Sequence, residues 1–447
     1  MRCCHFNDDH DGTPMQRTLL LIPHEIAGIP VFGIGWLLLA ILAALALRLL
    51  LAKLQGGQPQ GTGVVETLLR ESPIWLLLSG IVWYVLPRVE LTNVDGEPVG
   101  MAIRGYGVML LLAVGSAVWL AAYRAKRQGF DPEIIYSVAP WVFAGGIIGA
   151  RTFYVLQYRK DFISNTWQET VLKMLDFTGG GLVVYGSFIG GILAGSIYLH
   201  RKKLPWLKFG DVIVPCMFLG VFIGRLGCVM NGCCYGGRCE DNQFALKFPP
   251  NSPVWREQLD SGELLGFAYD PDTRLITRIT PGGLADRAGN IKVNQRIEVD
   301  HPTDDFRPLA TASRDIPAED ARTGVVATIG GRRYVWSPND LPETALPVFA
   351  AQILSSVSSL LLCLALCLIP AMRFREGTVM MLGFASYAIL RFVLELVRVD
   401  ESGQFGTDFS ISQWVSICVL TGSLIGLGFI YSRAQTARPI PSPELNR

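Results

Sequence analysis

The sequence predicts an all-α polytopic membrane protein with one small, soluble, β-rich insertion. Three observations lead there. Half of the 447 residues are apolar and only 17% are charged, and the mean hydropathy is +0.35. Apolar runs recur at close to the ~20 residues that a helix needs to cross a hydrocarbon core. One stretch, 237–345, has the hydropathy of a soluble domain and is too long for a structureless connection. A net charge of +1, with no basic tail and no interleaved aromatics, sets nucleic-acid binding aside.

About nine spans are expected, near 31–51, 73–88, 106–122, 134–156, 181–199, 210–228, 346–369, 377–396 and 411–431. The second is short and stops at Pro87. Many contain glycine, and "YGSFIGGILAG" (185–195) is the richest small-residue face, a feature that lets membrane helices approach closely. Basic residues concentrate in "YRAKRQGF" (123–130), "HRKKLPWLK" (200–208), "MRFRE" (372–376) and the tail after 431. These are alternate loops, so the positive-inside rule puts them in the cytoplasm. The N-terminus and the segments 157–180, 229–345 and 397–410 then face outward. The first fourteen residues are polar and acidic, unlike a signal peptide's basic leader, and Met15 is a second candidate start. The expected organisation is an extension with two spans (1–100), a seven-helix core in two parts (101–236 and 346–433), the insertion (237–345) and a cytoplasmic tail (434–447).

Within the insertion, "RLITRIT" (274–280) alternates like a half-buried strand. "PGG" is a turn, "LADRAGNI" (284–291) is a short helix stopped by Gly289 and Asn290, and "QRIEVD" (295–300) is a second strand. This stretch of about 40 residues resembles a PDZ domain. The resemblance implies a peptide partner added as a strand, its carboxylate held by the backbone N–H groups of Leu264, Leu265, Gly266 and Phe267.

Charges beside a span demand a reason, because a central arginine costs about 2.5–3.5 kcal/mol to insert. Arg48 can snorkel at the inner end of its span, and Arg104 falls at an outer boundary. Arg391, Glu395 and Arg398 follow at steps of four and three, on one helical face. They form either an internal salt bridge or an anion site in which Glu395 orients its neighbours. Arg225 stands in "GRLGCVMNGCCYG" (224–236) among glycines that leave room for a ligand. Two outward arginines on different helices suit a phosphate, whose oxygens match the guanidinium fork. In a bilayer that phosphate is a lipid headgroup. Cys228, Cys233, Cys234 and Cys239 are spaced C-x4-C-C-x4-C, unlike paired zinc ligands. They read first as small packing residues in a tight turn, then as a disulfide to Cys239; a metal ranks last, and none is expected.

Five blocks in order resemble the prolipoprotein diacylglyceryl transferases: "RGYGVML" (104–110), "GGIIGARTFYVL" (145–156), "GGGLVVYGSFIGG" (179–191), "GRLGCVMNGCCYG", and "LRFVLELVR" with "SISQWVS" (410–416). The resemblance implies a bacterial inner-membrane enzyme with no cofactor. It would transfer the diacylglyceryl group of phosphatidylglycerol to the lipobox thiol at a preprolipoprotein signal peptide, leaving a thioether and glycerol phosphate. It implies Arg225, Arg391 and Tyr185 as catalytic, and Tyr106, Arg151, Asn231, Gly236, Glu395 and Arg398 as substrate-binding. Three positions depart from the best-known members, which carry His at Tyr185, Asn at Cys228 and Glu at Cys233. Tyrosine is a poor base near neutrality, so the base is open. The rival reading is a lipid-binding scaffold without catalysis that recruits peptides through the insertion.

Overall fold

The computed structural model describes residues 18–26, 29–30, 34–54, 79–80, 82–83, 90–93, 96–163, 166–175, 181, 183–239, 245–300, 324–369, 374–398, 406–407 and 409–432. The candidate start at Met15, most of the expected span at 73–88 and the tail after 432 lie outside the described residues. The chain divides into two compact units. One takes residues 1–108, 230–233 and 238–348; the other takes 109–229, 234–237 and 349–447.

The principal helices are α1 (Ile34–Leu54), α2 (Gly105–Arg127), α3 (Glu133–Gln157), α4 (Trp167–Leu175), α5 (Val184–Arg201), α6 (Trp206–Asn231), α7 (Pro253–Asp260), α8 (Leu284–Arg287), α9 (Ala351–Leu368), α10 (Thr378–Glu395) and α11 (Ile411–Ser432). Among the described residues six of them, α2, α3, α6, α9, α10 and α11, are long and apolar enough to cross a membrane. The expectation of about nine spans therefore stands at six by length and composition, with α1 and α5 at the places of two more. Large apolar side chains on these helices stay exposed, among them Leu111, Ile148, Leu361 and Ile425, as a lipid-facing surface requires.

Two packings position the second unit. The first joins α3 to α5 through facing glycines. A Cβ on Gly149 would stand 2.3 Å from the Gly186 carbonyl oxygen, and one on Gly190 would stand 2.2 Å from that of Gly145. Gly145/Gly149 and Gly186/Gly190 are each spaced four apart, so one small-residue stripe lies on another. The second joins α6 to α10. Val214 and Phe218 share a buried cluster with Val379 and Met380. A Cβ on Gly210 would meet Met380, one on Gly383 would meet Val214, and the Phe218 and Tyr387 rings lie 5.5 Å apart. The pairs 210/380, 214/383 and 218/387 climb together, so the two helices run in the same direction.

One end of this pair is fixed by a carboxylate that the sequence did not single out. Asp211, buried on α6, accepts from the backbone N–H groups of Gly377 (2.7 Å) and Met380 (2.8 Å) at the start of α10. These are donors that a helix N-terminus leaves without intrahelical partners. Arg124 of α2 donates to the carbonyls of Val212 (3.2 Å) and Asp211 (3.1 Å). This arginine counted as a cytoplasmic loop charge in the sequence; in the fold it is buried.

In the first unit, β1 (Thr18–Pro23), β2 (Leu91–Thr92) and β3 (Pro98–Arg104) form an antiparallel sheet with β3 central. In the insertion, α7 starts at an N-cap serine: Ser252 Oγ accepts from Trp255 N at 3.3 Å, and Pro253 follows. β4 (Phe267–Tyr269) pairs with β5 (Ile276–Ile279). β6 (Ile297–Asp300), β7 (Val325–Ile329) and β8 (Arg332–Trp336) make a second antiparallel sheet in the order β8-β7-β6. The strand in 274–280, the turn at 281–283, the short helix α8 and the strand in 295–300 all stand where the sequence placed them. The described strands of the insertion fall into separate small sheets, however, and a complete PDZ arrangement is not shown among them.

The α3–α5 contact yields a test. Gly149→Ala places a methyl group against a carbonyl that cannot retreat, an overpacking expected to cost about 1–3 kcal/mol. Gly115→Ala, where nothing lies within 4 Å, is expected to be neutral or slightly stabilising. Thermal unfolding of the two variants in detergent separates them.

Candidate active site

The α11 N-terminus opens with Ser410-Ile411-Ser412-Gln413, a capping box. The Gln413 backbone N–H donates to Ser410 Oγ (3.2 Å), and the Ser410 backbone N–H donates to Gln413 Oε1 (3.0 Å). This pair fixes where α11 begins and which way Ser412 points. Ser410 Oγ also donates to Glu395 Oε1 at 3.1 Å.

Glu395, at the end of α10, is buried and ion-paired to Arg391 one turn earlier, with Oε2 2.5 Å from Nη1. Arg391 Nη2 donates to Ser412 Oγ at 2.9 Å. The Tyr185 hydroxyl of α5 lies 3.4 Å from that same Ser412 oxygen. Three residues singled out in the sequence, Tyr185, Arg391 and Glu395, thus meet in one polar cluster. Ser410 and Ser412, which complete it, were part of a noticed block but not singled out; the S-x-x-Q capping signature was the available signal. Arg398 falls just beyond α10, its backbone N–H donating to the Glu395 carbonyl.

Arg225 is half-buried on α6 and makes no hydrogen bond or ion pair among the described residues. The parallel α6–α10 packing sets which end it stands toward. The contacting positions keep an offset of 169–170 residues, and Arg225 lies seven residues beyond the last of them, toward the same end of α6 as Arg391 and Glu395 do on α10. Both guanidinium groups therefore lie toward the same ends of two packed helices, opposite the ends held by Asp211.

Arg151 is placed differently. Its Nε, Nη1 and Nη2 donate to the carbonyls of Met174 (2.8 Å), Gly181 (3.1 Å) and Lys173 (2.8 Å). Its guanidinium also lies over the rings of Tyr154 and Phe162. Its fork clamps the last turn of α4 and the strand of chain leading to α5.

After α6 the chain turns through Gly232 (φ 70°) and Cys234 (φ 59°). Gly236 follows, buried, its N–H on the Phe349 carbonyl at 2.8 Å; a Cβ there would stand 3.0 Å from Phe349 Cβ. Asn231 is the last residue of α6, and Tyr106 sits in the first turn of α2. None of the eight described cysteines is in a disulfide, so the second-ranked alternative, a bridge to Cys239, is not formed in this structure.

The four residues assigned to a peptide carboxylate lie in a packed turn. The N–H groups of Leu264, Leu265, Gly266 and Phe267 donate to the carbonyls of Gln258, Gly262, Glu263 and Gly262. Leu264, Leu265 and Phe267 are core residues. A carboxylate bound there would have to replace existing hydrogen bonds.

The cluster's energetics can be tested without any substrate. Glu395→Ala leaves Arg391 without its buried carboxylate, a change expected to cost up to about 3–5 kcal/mol. The double variant Arg391→Met/Glu395→Leu should recover most of that loss. Unfolding measurements on Arg391→Met, Glu395→Leu and the double variant close the cycle.

A family model for prolipoprotein diacylglyceryl transferase matches residues 97–429. A curated protein of Rhodopirellula baltica, named phosphatidylglycerol–prolipoprotein diacylglyceryl transferase, is 43% identical over 446 aligned positions covering 92% of this chain and 89% of its own. Proteins of the same name from Clostridium tetani and Deinococcus radiodurans are 39% and 27% identical. Those matches cover 31% and 42% of this chain, and 54% and 58% of the relatives.

Proposed function

The chain belongs to the prolipoprotein diacylglyceryl transferase family, and from that membership we infer that it catalyses the family's reaction in lipoprotein maturation. The diacylglyceryl group of phosphatidylglycerol passes to the lipobox cysteine thiol of a preprolipoprotein. A C–O bond at the glyceryl carbon breaks, a C–S bond forms, and glycerol phosphate leaves. The observation that supports this assignment of roles is the parallel packing of α6 on α10, which sets Arg225 and the Arg391–Glu395 pair toward the same ends of the two helices.

Negative charge grows on the phosphate oxygen as the C–O bond breaks. Guanidinium groups already in place stabilise that charge without reorganising, which is where electrostatic catalysis gains most. Arg225, with no protein partner among the described residues, takes one face of the phosphate. Arg391 takes another, held in position by Glu395 and Ser412. Tyr185 reaches the same serine and orients the headgroup or the incoming thiol. Tyr106, Asn231 and Gly236 are assigned to the headgroup pocket by their places in the family's motifs, and Arg398 to its rim. Arg151 supports the site from outside, through the chain segment it clamps.

The alternation of basic loops supports an inner-membrane orientation with the C-terminus cytoplasmic, the N-terminus outside and the insertion in the periplasm. In that orientation the arginine ends of α6 and α10 face outward, where secreted substrates arrive. α5 completes the core as a further span.

The test is complementation of a bacterial strain lacking the transferase, with the thioether on a reporter lipoprotein read by mass. The chain should restore modification. Arg225→Ala and Arg391→Ala should each lower its rate about 10²–10³-fold at normal protein levels. Arg225→Lys should fall short of full recovery, because an ammonium lacks the planar fork. Full modification by either alanine variant would contradict the assignment.

A further inference from the structure

The hydrogen bonds around Ser412 have a direction, and that direction bears on what Tyr185 does. The three helices involved, α5, α10 and α11, all belong to the second unit. A guanidinium can only donate, so the 2.9 Å contact from Arg391 Nη2 makes Ser412 Oγ an acceptor. The serine hydroxyl still has its own proton to place. Ser412 is only 5% exposed, and a buried O–H without an acceptor is costly. Among the described residues the acceptor within reach is the Tyr185 phenol oxygen, 3.4 Å away. The serine proton therefore points at Tyr185, and the phenol's own proton points elsewhere. Tyr185 is the open end of this chain, at 40% exposure.

Resting on the transferase reading, we propose that Ser412 is a positioning residue that makes Tyr185 a hydrogen-bond donor to the leaving phosphate, and not the base that takes the thiol's proton. The chain runs from the Arg391 guanidinium through the serine hydroxyl to the phenol, each member donating to the next. A cation at one end strengthens the bonds that follow, because linked hydrogen bonds polarise one another. The phenol O–H is thereby a better donor, and a fixed donor is what an oxygen gaining negative charge requires. The phenol oxygen that a base would use already accepts the serine proton. The capping box formed by Ser410 and Gln413 aims Ser412, so this order of donors is built into the way α11 begins.

The balance follows. The lipobox thiol gives its proton to water, and its sulfur forms the C–S bond at the glyceryl carbon. The C–O bond breaks, and its electron pair stays on the oxygen that leaves with glycerol phosphate. Tyr185 keeps its proton throughout and shares it with that oxygen. Nothing is oxidised or reduced, and no group outside this chain, its two substrates and water takes part.

The experiment uses the full chain in nanodiscs containing phosphatidylglycerol, with a lipobox peptide and the thioether read by mass. Tyr185→Phe should slow transfer about 10²-fold, the effect of one lost donor on a developing oxyanion. That deficit should be the same from about pH 6 to about pH 8, since the thiol, with an ordinary pKa near 8.5, ionises unaided in both proteins. Ser412→Ala should cost about tenfold, the value of one hydrogen bond, and Ser412→Thr, which keeps the hydroxyl, should recover most of it. Most of the serine's effect should vanish when Tyr185→Phe is already present. Thermal unfolding in detergent checks that each variant folds. Tyr185→3-fluorotyrosine, whose phenol donates more strongly and is a weaker base, should raise the rate without disturbing the fold. A Tyr185→Phe deficit that shrinks as pH rises, an unchanged or lower rate with the fluorinated ring, or undiminished transfer by folded Ser412→Ala would each overturn the proposal while leaving the transferase reading in place. No transfer by the unmodified chain would overturn both.

Discussion

Two helices running side by side in the same direction set the geometry on which this site depends. α6 and α10 could not share a level by chance, since each could slide along the other by a turn. Their register is pinned by Asp211, which accepts two backbone N–H groups at the start of α10, and by close steps at Gly210 and Gly383. Once one end is fixed, the rise of about 1.5 Å per residue carries both helices to the other end in step. Arg225 and Arg391 both lie toward that end of their helices, opposite the end that Asp211 holds.

The arginines differ in how they are held. Arg391 has an ion pair to Glu395 and a hydrogen bond to Ser412, and both supports are themselves fixed by the capping box that opens α11. Arg225 has no such frame among the described residues. One guanidinium is preorganised and the other is left available, an arrangement suited to a ligand that must enter along the membrane and then be gripped. The glycine stripes of α3 and α5 add a different constraint. They bring α5, and with it Tyr185, to a distance that any side chain between the backbones would forbid.

The sequence made the membrane spans, the basic-loop alternation, the insertion's helix and strands, and the Arg391–Glu395 stripe legible, because each rests on local period or composition. Two kinds of feature escaped it. Asp211 and Arg124 sit near a boundary where charge is ordinary, and only tertiary packing shows that they cap another helix and bind carbonyls. Ser412 is one serine among many, and its value comes from a hydroxyl aimed by the cap two residues before. Arg151 was visible as an arginine in a span, but its partners are backbone carbonyls, which leave no pattern in a sequence. Leu264–Phe267 matched a loop by spelling, yet three of those side chains fill the core and all four amides are already paired.

The central claim is that two guanidinium groups together hold the phosphate of an anionic glycerophospholipid. Native mass spectrometry of the purified chain released from mixed-lipid nanodiscs measures it directly. Phosphatidylglycerol should be retained in preference to phosphatidylethanolamine by the unmodified chain, and that preference should vanish when Arg225 and Arg391 are both replaced by glutamine. Retention of phosphatidylglycerol by the doubly substituted, folded protein would contradict the account.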